Sequence, residues 1–120
     1  MKYAVILGFF LLAVSCTQER KPMLPKGLSA DSIIPHDEMV RLLADIHVLE
    51  SVLQYERNHR TGLSAPASVR YQELFSEYRI SKKRFTLNLA YYQSMPDEFQ
   101  KMYGDVVTTL EQRKKEQKLR

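Results

Sequence analysis

A histidine and a carboxylate three residues apart on a helix can share a proton or a metal ion, and His47 and Glu50 stand at that spacing with Asp45 close by. The rest of a catalytic or metal constellation is harder to assemble. Asp45 and His47 are two apart and point to different faces of a helix, whereas a metal site needs three or four converging ligands. His36 and His59 lie near the two ends of the same expected helix, about 30 Å apart at 1.5 Å per residue. The expectation is therefore a local hydrogen bond at His47 and no metal. A hydrolase using His47 is the weakest of the functional readings. The chain shows no glycine-rich phosphate loop and no GxSxG. These observations argue against an enzyme.

The other reactive side chain is Cys16, the only cysteine. It follows Lys2 and an apolar run from Tyr3 to Val14, which is shorter than the roughly 20 residues a membrane-spanning helix needs. The run fits the apolar segment of a secretory signal. Ala13-Val14-Ser15-Cys16 resembles a bacterial lipobox, with Ala13 in place of the commoner leucine. That resemblance implies cleavage between Ser15 and Cys16, a diacylglyceryl group on the Cys16 sulfur and an acyl group on its new amine. Two or more acyl chains anchor stably where one does not. A single thiol forms no intramolecular disulfide. The plainer alternative is an incidental cysteine in an ordinary signal peptide or short anchor. Thr17, rather than aspartate, follows the cysteine, and Glu19 is the only acid near it. The expected location is the periplasmic face of an outer membrane.

Charge narrows the partners. From Tyr3 to Leu110 there are 12 basic and 12 acidic residues, so the body is not expected to bind nucleic acid. The excess sits at the C-terminus, where Arg113, Lys114, Lys115, Lys118 and Arg120 face only Glu111 and Glu116. This basic tail offers a surface to anionic headgroups or another acidic surface, at about 1 kcal/mol per charge near a membrane. A solvated helix end explains it equally simply.

Four helices must position these groups. Residues 16–34 are polar and rich in proline and read as a tether after the leader 1–15. From Pro35 to Arg57, Met39, Leu42, Leu43, Ile46, Leu49 and Leu53 recur at helical spacing. Asp37 and Glu38 suit the positive end of that helix, and Gly62 follows as a breaker. A second helix, Ala67 to Tyr78, should turn Val69, Leu74, Phe75 and Tyr78 inward. Ser81 should cap the third, with Ile80 and Phe85 as a hydrophobic staple, and Phe85, Leu89 and Tyr92 continue its inward face. "SMPD" (Ser94–Asp97) resembles a capping box for the fourth. Its stripe is Phe99, Met102, Tyr103, Val106 and Leu110. Gly104 within it costs about 1 kcal/mol relative to alanine and is expected to mark a close contact. The fold class is all-α, a bundle of about four amphipathic helices over 35–110 with a basic helical tail at 111–120. Isolated helices this short are marginal, so each stripe must be buried.

Tyrosines at 71, 78, 91, 92 and 103 are prominent in a chain without tryptophan. Rings lining the core, with hydroxyls at its edge, are the plain reading. Tyr91 and Tyr92 cannot share a face, so one of them is the candidate partner contact.

With these residues in view, the chain resembles the small Bacteroidetes lipoproteins that carry domain of unknown function 4296. The resemblance rests on "IIPHDEMVRLLADIHVLES" (Ile33–Ser51), "YQELFSEYRISKKRF" (Tyr71–Phe85), "LAYYQSMPDEFQKMY" (Leu89–Tyr103) and "VVTTLE" after it. Arg79 departs from it, standing where many relatives have glycine. The family has no established activity, so the resemblance implies fold and location and supplies no catalytic residue. The leading expectation is a non-enzymatic, lipid-tethered helical module that binds an envelope protein, with no cofactor beyond the lipid on Cys16. The alternative is a periplasmic chaperone-like holder of exported proteins. "ISKKRFTLNLAYYQSMPDEF" is similar to the helical N-terminal part of periplasmic prolyl isomerase chaperones.

Overall fold

The computed structural model describes residues 21–59 and 65–120. The chain is a small all-α bundle: α1 (His36–His59), α2 (Ala67–Glu77), α3 (Lys82–Gln93) and α4 (Pro96–Lys118), preceded by a short 3₁₀ turn at Ala30–Ser32. Cys16, the Ser15 cleavage position and Gly62 lie outside the described residues. Among the described residues, no helix is long and apolar enough to cross a membrane.

α1 is the central element. Met39, Leu42, Leu43, Ile46 and Leu53 are buried as their spacing requires, and Val40 and Ala44 are buried beside them. The wider arc is needed because α1 packs against both α2 and α4. It runs antiparallel to α2, whose successive residues Arg70, Tyr71 and Tyr78 reach back to Glu56, Glu50 and Asp45. α4 packs along α1, with His36 reaching Asp105 and Asp45 reaching Arg113 two turns further on. Met102 and Val106 of α4 are fully buried in the core.

Three details differ from expectation. Val69 faces solvent rather than the core, because the buried face of α2 is the one carrying Phe75 and Leu74. The SMPD segment forms no capping box. Met95 is the N-cap of α4 and makes no side-chain cap, while the Ser94 hydroxyl donates back to the Tyr91 carbonyl at 2.6 Å. Ser94 closes α3 instead of opening α4. Gly104 marks no close contact either, since a Cβ there would meet nothing within 4 Å.

The largest difference concerns the expected tether. Its described part, 21–34, is largely exposed but is fastened to the domain at Leu28 and Ile34. A turn with Pro25 first and Gly27 third, at φ 93°, closes through Leu28 N–H to the Pro25 carbonyl. Glycine suits that third position because an L side chain there would be strained. Leu28 and Ile34 are then buried, at 5% and 1% exposure.

Candidate functional site

Among the described residues, two places that use α3 concentrate polar groups or open space. The first is a clamp on the N-terminal segment. Asn88 is 0% exposed. Its Oδ1 accepts from Ile34 N–H at 2.7 Å, and its Nδ2 donates to the carbonyls of Ser32 at 3.1 Å and Arg84 at 2.9 Å. Both polar atoms of the buried amide are thereby paired, as burial demands. Tyr92 donates its hydroxyl to the Ile34 carbonyl at 2.6 Å. Arg84 Nε donates to the Ser32 carbonyl at 3.1 Å. Further out, Met23 N–H donates to Ser94 Oγ at 3.2 Å. Residues 32–34 thus lie along α3 with their backbone groups held by side chains one and two turns apart.

This clamp settles the two adjacent tyrosines. Tyr92 is 7% exposed, and its hydroxyl is spent inside the fold, so it belongs to the inward face with Phe85 and Leu89 and is not the contact candidate of the pair. Tyr91 is half-buried, packed against the core, and meets the Tyr92 ring edge-on at 5.3 Å. The buried hydroxyl of Tyr92 is held above its ordinary pKa by desolvation and then by Tyr91.

The remaining tyrosines follow the plain reading. Tyr71 donates to Glu50 Oε1 at 2.8 Å. Burial, and then that carboxylate bond, pushes its phenol up to about 12. Tyr78 donates to Asp45, whose other oxygen accepts from Arg113 Nη1 at 2.6 Å. Burial first and the Asp45 bond second raise the Tyr78 pKa. This knot ties the end of α2 and the start of the basic tail to α1.

The histidine constellation does not assemble. Glu50 is engaged by Tyr71 and Asp45 by Tyr78 and Arg113, so the expected His47–Glu50 pairing gives way to an edge-on contact of His47 with Tyr103 at 6.0 Å. His36 Nε2 lies 2.9 Å from Asp105 Oδ2. His59 stacks on Tyr55 with centroids 4.0 Å apart. Among the described residues no group of three histidine, cysteine or acidic side chains could hold a metal.

The second place is a groove of about 650 Å³ between α2 and α3, within the size range of ligand-binding clefts. Its floor is Tyr71, Phe75, Ile80 and Phe85, and the Phe75 and Phe85 rings lie 5.3 Å apart. Serine, threonine and glutamine side chains form most of the rim. The groove exists because α2 ends sharply. Arg79 adopts φ 53°, its N–H bonds to the Ser76 carbonyl, and the Ile80 N–H reaches the Phe75 carbonyl. Those two bonds define a Schellman stop, with Ile80 packing toward Phe75. Ser81 then caps α3 as expected, accepting from Arg84 N–H at 3.1 Å. No periodicity argument reveals this groove, because it depends on the angle set at Arg79. The staple residues Ile80 and Phe85 were the available signal.

The family described as domain of unknown function (DUF4296) matches residues 31–116, taking in α1 to α3, nearly all of α4 and the contacts of Asn88 and Tyr92 with Ser32 and Ile34. The chain belongs to the DUF4296 family. The match takes in Asp31 to Ile34, the stretch that a tether reading would leave outside the domain. No curated protein and no solved structure matches the chain.

Proposed function

We propose that this DUF4296 protein is a lipid-anchored helical module of the cell envelope that binds another envelope protein through the α2–α3 groove, without chemistry of its own. Cys16 carries the lipid after cleavage behind Ser15, and the periplasmic face of the outer membrane is its place. The observation that carries the reading is the groove, an aromatic floor bordered by hydroxyl and amide side chains. The clamp supports it mechanically. A chain leaving the domain toward Cys16 is fastened at Ser32, Ile34 and Met23, so an anchor upstream would hold a defined face of the bundle. The partner surface accordingly moves from Tyr91 and Tyr92 to the groove.

Labelling with a palmitate analogue tests the anchor: the wild type incorporates it and Cys16→Ala does not. An unlabelled wild type would end the lipoprotein reading. Photocrosslinkers at Thr86 and Gln72 test the contact, and one stoichiometric envelope partner is expected.

A chaperone-like holder is the second reading. Its favouring observation is an exposed row on α1, Val48, Val52 and Tyr55, at 46%, 42% and 59% exposure. A holder suppresses aggregation of many unfolded clients, and that assay separates the two.

A further inference from the structure

The segment that leaves the domain toward Cys16 carries an apolar surface of its own. In Lys21-Pro22-Met23-Leu24-Pro25-Lys26, Met23 is 72% exposed and Leu24 45%. Successive side chains of an extended segment point to different sides, so one of the two would ordinarily be turned onto the domain. Neither is buried. Exposed apolar residues need no explanation where they are scattered singly, but these two are adjacent and their backbone is fixed. Pro22 locks its own φ, and Pro25 holds Leu24 extended before it. Ser94 Oγ accepts from the Met23 N–H at 3.2 Å. The turn that Leu28 N–H closes on the Pro25 carbonyl leads straight into the buried Leu28 side chain. The pair therefore belongs to the folded domain and is presented at the junction of α3 and α4.

The course of the chain indicates what covers it. The described segment begins at Lys21, five positions after Cys16. Five residues span at most about 18 Å, so a lipid on Cys16 keeps a bilayer surface within that reach of Lys21. The bilayer is then the apolar medium held beside Met23 and Leu24. Lys21 and Lys26 flank the pair and are exposed, and lysine stems lie along an apolar contact while their ammonium groups stay in water. Asp97 and Glu98 open α4 just past Ser94, so the surroundings are of mixed sign. The apolar pair, not charge, selects the occupant.

We propose that Met23 and Leu24 seat in the headgroup boundary of the membrane that holds the lipidated chain, with the α3–α4 junction facing the bilayer. This rests on the lipid at Cys16, as proposed above, and adds a second, noncovalent point of membrane contact that orients the domain.

The chain has no tryptophan, so a single introduced indole reports its surroundings. The full chain with its native lipid is returned to vesicles of phosphatidylcholine and phosphatidylglycerol, once as Met23→Trp and once as Val52→Trp. Val52, 42% exposed on α1, is the control position. Flotation on a sucrose gradient reports attachment, and circular dichroism reports the fold of each variant. The Met23→Trp emission should lie to the blue of the control and should be lost to phospholipids brominated near the headgroup end of their chains. Adding Leu24→Asp to Met23→Trp should return the emission to that of a water-exposed indole, with the protein still floating. Floating protein whose Met23→Trp emission matches the control and escapes bromine would overturn the seat and leave the anchor standing. A blue-shifted emission that bromine leaves untouched would overturn it in favour of a protein cover, such as a second copy of this chain. Protein that does not float would remove the seat and the anchor together.

Discussion

The two sides of α3 differ in how completely they are used. On one, Asn88 and Tyr92 pair the Ile34 N–H, the Ile34 carbonyl and the Ser32 carbonyl. On the other, Phe85 and Thr86 border a groove that the fold leaves open. The same short helix therefore serves as a fastening and as a wall. The difference teaches where substitutions should register. Changes at the clamp should appear in stability, and changes at the groove rim should appear in binding.

The largest break in this contrast is expected from Asn88→Ala. It strands the buried Ile34 N–H, while the Ser32 carbonyl keeps its bond from Arg84, and a stranded buried group costs about 1–3 kcal/mol. Urea denaturation followed by circular dichroism should show a loss of about 3 kcal/mol. A loss below about 1 kcal/mol would mean that residues 32–34 detach readily. Tyr92→Phe removes one hydrogen bond and keeps the ring, so about 1 kcal/mol is expected in the same assay.

Two substitutions sharpen the comparison by relieving cost. Arg79→Gly removes the left-handed penalty at the α2 stop and should stabilise by about 1 kcal/mol. Gly104→Ala fills open space on an exposed helical turn and should add about 1 kcal/mol. Hydrogen exchange at Ile80 would separate them, slowing with Arg79→Gly alone. At the groove rim, Lys82→Glu should shift stability by less than about 0.5 kcal/mol, as exposed sites do.

Titration reports on the α1–α2 hairpin. The Tyr71 phenol is raised from 10.0 to about 12 by burial and Glu50, so the folded state holds its proton more tightly than the unfolded chain. Its contribution is full below about pH 10 and is lost as pH rises toward 12. Absorbance at 295 nm with parallel thermal melts should show Tyr71→Phe flattening that decline. An unchanged decline would place the alkaline sensitivity elsewhere.

Much of the framework was legible before any coordinates. Helical periodicity located α1 to α4 within a few residues, and Ser81 was recognisable as a cap because its hydroxyl acts locally. Long-range features were hidden. Asn88 looks like a surface residue in a helix, and only the approach of Ile34, 54 positions away, makes it a buried linchpin. Pro25, Gly27 and Pro35 suggested a tether because the burial of Leu28 and Ile34 depends on the packed fold. Ser94 matched a capping pattern, yet its hydroxyl found the Tyr91 carbonyl behind it. The groove needed the φ of Arg79, which no spacing rule supplies for an arginine.

The central proposal is that the open side of α3 is where this domain, tethered through Cys16 as proposed, meets its partner. Photocrosslinking in cells from Thr86, with Tyr91 as the comparison position, tests it most directly. The account predicts one dominant envelope protein joined at Thr86, absent from Tyr91 and lost in Cys16→Ala. A partner captured equally from both positions, or only a diffuse set of exported proteins, would contradict it.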